Sequence, residues 1–180
     1  MSTDTIKQIA AGLITVPSRP VHHEALLETA LYSAVAYYSA LKPLMQCVTV
    51  ADTPANGSDE LGDYAEFEAI PLSSGIMAAT SVMIAGEQHV FRVTSAGASM
   101  ATVRVYTVVR GTTTLEIWRP AAHAISAVTW PAHHEAIIAM VTASFYLNAV
   151  SLANADYRYA EMLQAVAASY FGRAQATLQA

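Results

Sequence analysis

The spacing of apolar positions changes twice along the chain. Over residues 20–42, Leu26, Leu27, Ala30, Leu31, Ala34, Val35, Tyr38 and Leu41 recur at three- and four-residue steps. That period predicts a helix, and Pro43 closes it. Over residues 47–119 the period falls to two, with turn residues between apolar runs. "QCVTVA" reads as a first strand with Val48 and Val50 on one face. Residues 51–63, "ADTPANGSDELGD", read as a polar, acidic loop. "YAEFEAIPL" sets out Tyr64, then Phe67, then Ile70 as a strand. "TSVMIAGEQHVFRV" reads as a hairpin, with Gly86 supplying the positive φ of its turn. "ATVRVYTVVRGTTTLEIWRP" reads as a second hairpin turning near Arg110 and Gly111. Val103, Val105, Thr107 and Val109 then share a face, and Leu115 and Ile117 meet the core from the returning strand. The helical period resumes over residues 131–178. A nearly uncharged helix covers 131–153, "NAD" breaks it, and a last helix covers 156–178 with a stripe of Leu163, Val166, Ala167, Tyr170, Phe171, Ala174 and Leu178. The expected fold is α+β, a single domain over residues 1–180. An N-terminal helix (20–42) and a C-terminal helical hairpin (131–178) form a three-helix bundle. A small antiparallel β-sheet or sandwich (47–119) is inserted between them.

Composition sharpens this picture. Charged residues make up 13% of the 180 residues and apolar ones 54%, but 35 of the residues are alanine. Alanine adds helix propensity and little burial, so close helix packing is expected rather than membrane spans. Residues 136–153 carry no charge, near the lower limit for a span, yet alanine, serine, Thr142 and Asn148 dilute the run. A helix apolar on all sides is expected at the centre of a core. The net charge of −5, with no basic run, argues against a grip on nucleic acid through its phosphates. One cysteine, Cys47, excludes an internal disulfide. Residues 1–20 make a poor signal peptide, since the apolar stretch is short and an acid precedes the lysine. So little charge on a chain of this size also points to surface hidden in an oligomer.

One line is written twice. "RPVHHEALL" at residues 19–27 and "WPAHHEAII" at residues 130–138 share proline, a spacer, two histidines, glutamate, alanine and branched apolar residues. Three accounts compete: a split metal site, a duplication, or a common way of starting a helix. Proline suits a first turn, Ser18 and Thr129 can cap free N–H groups, and Glu24 and Glu135 sit near the positive helix end. The metal account is weak. Adjacent helical residues point about 100° apart, and the residues four on from His22, His23, His133 and His134 are leucines and isoleucines. The histidines are then exposed helix-start groups, or pH-sensitive contacts in an interface.

Little else carries chemistry. Asp52, Asn56, Gly57 and Asp63 fall at calcium-loop positions, but Pro54 stands where a ligand belongs and the loop joins strand to strand. No nucleophile elbow, phosphate-binding loop or dinucleotide fingerprint is present. Cys47 lies in a strand pattern and reads as structural. Nine tyrosines include Tyr32, Tyr38 and Tyr170 at core or interface spacing. No catalytic residue, cofactor or metal ligand is assigned.

The order of elements and the C-terminal third carry a resemblance. "TLEIWRPA", then "WPAHHEAIIAMVTASFYL", then "DYRYAEMLQAVAASYFGRAQATL" give a strand ending at proline, an alanine-rich helix, a short break and a last helix with spaced aromatics. "YAEFEAIPLSSGIMAATSVMIAG" and "HHEALLETALYSAVAYYSAL" fit as the strand–proline–strand block and the opening helix. Residues 20–178 thus resemble the head-to-tail connector (adaptor or neck) proteins of tailed bacteriophages. The resemblance implies a structural virion protein of the neck, made in the host cytoplasm and not an enzyme. A ring of about twelve copies sits below the capsid portal, prolongs the DNA channel and carries the tail. The partners implied are copies of the chain, the portal protein and a tail or further neck protein, with no membrane. DNA passes through without sequence-specific binding. The C-terminal segment would meet the portal, which makes Tyr170, Phe171, Arg173 and Leu178 the candidate portal-side residues. Two alternatives stay open: another phage assembly protein, such as a tail-completion or minor capsid protein, and a small enzyme or ligand-binding domain whose site forms only in the fold.

Overall fold

The computed structural model of the chain describes residues 3–16, 20–125 and 129–179. It divides into two compact units, Met1–Leu44 with Ala122–Ala180, and Met45–Ala121. The first is helical and the second is built of strands, so mixed α+β architecture is observed with the β block inserted where the periodicity places it.

The helical unit contains α1 (Thr3–Leu13), α2 (His23–Leu41), α3 (Glu135–Leu152) and α4 (Tyr157–Gln179). Helix α3 packs against each of the other three. Its sequence explains this position, because a helix whose one charged residue is Glu135 in its first turn can bury several faces at once. Ile137, Ile138, Val141, Tyr146 and Leu147 are all buried. Ala132–Leu152 is long and apolar enough to cross a bilayer, and 67% of its apolar window is buried inside the unit. Buried Thr142 satisfies its hydroxyl on the Ile138 carbonyl at 2.8 Å. Ala10, Ala34, Ala139, Ala143, Ala167 and Ala174 are fully buried, and such small side chains let helices approach closely. Helix α1 is absent from the expected bundle of three. It buries Ile6 and Ala10, one turn apart, in the common core. Helices α2 and α3 lie within the expected spans, and α4 runs one residue past its expected end. Helix α2 ends at Lys42, before Pro43, where the Lys42 N–H closes on the Tyr38 carbonyl at 2.8 Å.

The β unit contains eight strands: β1 (Leu44–Asp52), β2 (Ala55–Asp59), β3 (Gly62–Pro71), β4 (Ser81–Ile84), β5 (Glu87–His89), β6 (Phe91–Ala96), β7 (Met100–Val105) and β8 (Thr113–Ala121). They form two sheets, ordered β1-β8-β4-β5 and β2-β3-β7-β6. Phe67, Ile70, Val103 and Val105 from one sheet and Val82, Leu115 and Ile117 from the other share one core, as in a sandwich. Strands β4 and β5 form the expected hairpin, with Ala85 (φ 53°) and Gly86 (φ 82°) in its turn.

Three local readings are corrected. The segment 51–63 is more than a loop, because β2 pairs antiparallel with β3 from Ala55↔Glu66 to Asp59↔Gly62. Gly57 is needed there, since a Cβ would lie 2.6 Å from the Tyr64 ring. The second expected hairpin does not form. Strand β7 pairs with β3 and β6, whereas β8 pairs with β4 in the other sheet. Residues 106–112 carry the chain between sheets, so Thr107 and Val109 continue no strand. Leu115 and Ile117 still face the core. In β3 the inward residues are Ala65, Phe67 and Ile70, while Tyr64 is only half-buried. A bulge between Phe67 and Ile70 brings both inward despite their odd spacing.

Candidate functional site

The twin histidine lines start their helices alike. In each, the second histidine donates its backbone N–H to the proline carbonyl three residues earlier, His23 to Pro20 at 3.1 Å and His134 to Pro131 at 2.9 Å. The tight turn leaves His22 and His133 exposed and rotates His23 and His134 inward. His23 Nδ1, at the start of α2, lies 2.6 Å from the Tyr146 hydroxyl on α3. His134 Nδ1, just before α3, is hydrogen-bonded to the Tyr38 hydroxyl near the end of α2. Each helix therefore holds the later half of the other through a histidine–tyrosine pair, which makes α2 and α3 antiparallel. The expectation of exposed histidines holds for the first of each pair and fails for the second. Ser18 lies outside the described residues, and Thr129 Oγ1 instead sits 2.6 Å from His123 Nδ1.

His123, which no sequence pattern singled out, is buried like His23. Its Nε2 lies 2.9 Å from the Lys42 carbonyl, and its backbone N–H donates to Ser39 Oγ at 3.0 Å. Its ring packs against Tyr38 and Trp130. Burial pushes the Tyr38 phenol above its usual pKa. Burial, helped by His133 and Lys42, pushes His134 below the usual imidazole value. The Tyr38–His134 pair is thus neutral at physiological pH. Among the described residues no three His, Cys, Asp or Glu side chains gather as metal ligands.

The four candidate portal-side residues fall near the end of α4 but are not equally available. Leu178 is only 6% exposed and belongs to the helical core. Tyr170 is half-buried and donates its hydroxyl to the Leu13 carbonyl at 3.0 Å. Phe171 is half-buried and packs its ring against Tyr37 and Phe145, with centroids 5.1 and 6.0 Å away. Of the four, only Arg173 is exposed. Beside Leu178 runs a groove of about 230 Å³ lined by Tyr37, Leu41, Lys42, Gln175 and Gln179. Gln175 donates to the Tyr37 hydroxyl at 3.0 Å across it. Leu41 is half-exposed at its rim. The contribution of α2 to this corner was missed, although Tyr37 and Leu41 stand one helical turn apart in the sequence.

The remaining candidates serve the fold. Asn56, a supposed calcium ligand, bonds both the carbonyl and the N–H of Val109. The Leu61 N–H, then Tyr106 and Arg104, hold the Asp59 carboxyl below the usual range. Arg104 also binds Glu66 at 2.6 Å and lies 4.2 Å over the Tyr64 ring. Cys47 is half-buried in β1, and burial together with Glu116 pushes its thiol up, away from the reactive thiolate. A groove of about 560 Å³ in the β unit is lined by Thr80, Ser81, Gln88, His89, Val90 and Phe91, with one imidazole and no carboxylate. In comparisons with known proteins, no family model matches the chain and no curated protein matches it.

Proposed function

We propose that the chain is a ring subunit of a bacteriophage head-to-tail connector, joining the capsid portal to the tail and prolonging the DNA channel. The observation that carries this reading is the insertion of a two-sheet β unit between α2 and α3 of a helical unit, in the order the sequence resemblance requires. In this reading α2, α3 and α4 are the three-helix bundle, with α1 added against α3. The corner at the ends of α2 and α4 is the portal side. Lys42 and Arg173 are its cations, Leu41 its exposed apolar contact, and Phe171 and Leu178 hold it in shape. A net charge of −5 and few charges overall suit a wall past which DNA slides without being gripped.

The test is light scattering on the full chain during size exclusion, alone and with a portal ring. A closed assembly near twelve subunits, or co-elution with portal, is expected. Leu41→Glu should weaken portal binding at least tenfold, the loss of one well-buried contact. A stable monomer or dimer that ignores portal overturns the reading.

A further inference from the structure

Helix α4 carries two unlike faces besides the one it buries. One is a trough along its seam with α3. A hollow of about 260 Å³ lies among Phe145, Ala168 and Phe171, and another of about 310 Å³ among Ser151, Tyr157 and Glu161. Gln164 lines both, so the two are neighbours along the seam. Ser151 is buried, lines the trough, and its Oγ has no hydrogen-bond partner. A buried hydroxyl left this way carries an unrecovered desolvation cost until an occupant supplies a partner. Glu161, exposed at the same end, has no ion-pair partner among the described residues.

The second face lies about 130° round the same helix, at about 100° per residue. It is a stripe of exposed Met162, Ala165, Val166 and Ser169, apolar but for the one small hydroxyl at its end. Met162 is 50% exposed and Val166 38%. Exposed Arg158 and Arg173 bracket the stripe, again without ion-pair partners among the described residues. Between these arginines the stripe has no charge, and the trough holds only Glu161. An uncharged stripe ending in arginine complements a trough that is apolar around Phe145 and Phe171 and polar at its other end, where it offers a carboxylate and a free hydroxyl. A guanidinium can donate to both groups at once.

We propose that the α3–α4 trough receives the Met162–Val166 stripe of α4 from a second copy, with one of its bracketing arginines placed on Glu161 and Ser151. The proposal rests on the ring reading above, to which it adds the two faces in contact. Because the faces differ, the contact is head-to-tail, which generates a closed ring or an open filament rather than a two-fold dimer.

The test uses the full chain and two surface variants, Val166→Glu on the stripe and Ala168→Glu in the trough, with helicity checked by circular dichroism. Each should weaken self-association at least tenfold in analytical ultracentrifugation, while Val166→Ala and Ala168→Ser keep it. Mixed together, the two glutamate variants should form only one-to-one heterodimers, since each retains one intact face. A wild-type chain that stays monomeric at millimolar concentration overturns the proposal. So do multimers that persist in both glutamate variants, although those would leave the ring reading standing. Open chains that both variants abolish would uphold the contact and sink the ring.

Discussion

A hydrogen bond between a histidine ring and a buried tyrosine is costly to half-remove, and the helical unit makes two, His23–Tyr146 and His134–Tyr38. Tyr38→Phe leaves His134 Nδ1 without its partner. Urea unfolding should show a loss of about 0.5–1.5 kcal/mol, the net worth of one hydrogen bond at a half-buried group. The pH dependence has a definite sign. His134 titrates below the ordinary value of 6.5 in the folded chain. The unfolded chain therefore takes up the proton first. This contribution to stability is whole above that ordinary value, falls as pH drops below it, and levels off once folded His134 is protonated as well. Unfolding midpoints measured from about pH 8 to about pH 5 should decline, and His134→Gln should flatten the decline. An unchanged slope in that variant would exclude His134 as the titrating group. The sequence announced the paired histidines but not their division into an outer and an inner member. That division follows from the three-residue turn at each proline, a backbone detail that residue types alone leave open. His123 gave no signal at all, standing among alanines in a connector.

At the scale of elements, periodicity was informative where a side-chain pattern does the positioning. It located α2, α3, α4 and the β4–β5 hairpin, because each presents an apolar face or a turn glycine that the core or the φ angle demands. It failed for β2, whose polar residues join a sheet edge through the backbone and through Gly57 lying under Tyr64. It also failed at the passage from β7 to β8. Alternation marks a strand but not which sheet it enters, and that choice rests on contacts far apart in sequence. Helix α1 was legible in principle from Ile6, Ala10 and Leu13, though so short a stripe does not separate a core helix from the apolar stretch of a leader. Its burial makes it part of the core. Ile6→Ala should cost about 2–5 kcal/mol in chemical denaturation, the usual penalty of an emptied core site. A loss below about 0.5 kcal/mol would mean that α1 docks only marginally.

For the whole molecule, the two separate cores have a thermodynamic consequence. Leu115 is fully buried in the core of the β unit and is no member of the helical core. Leu115→Ala should lower one calorimetric transition, the β unit's, and leave the helical one in place; a single transition that moves as a block would mean the units unfold together. The candidate portal corner was half legible. The resemblance pointed to the end of α4, and the fold adds that Leu178 turns inward and that α2 lines the same groove. The His123 clamp has a further consequence. By bonding the Lys42 carbonyl, His123 holds the chain's departure from the helical unit beside its return. The entropy of closing the long excursion between them is thus settled inside the helical unit and depends only weakly on how many residues lie outside. Residues 45–121 then behave as an exchangeable cassette, one that evolution or an engineer can lengthen, shorten or replace by a short bridge while the helices keep their arrangement.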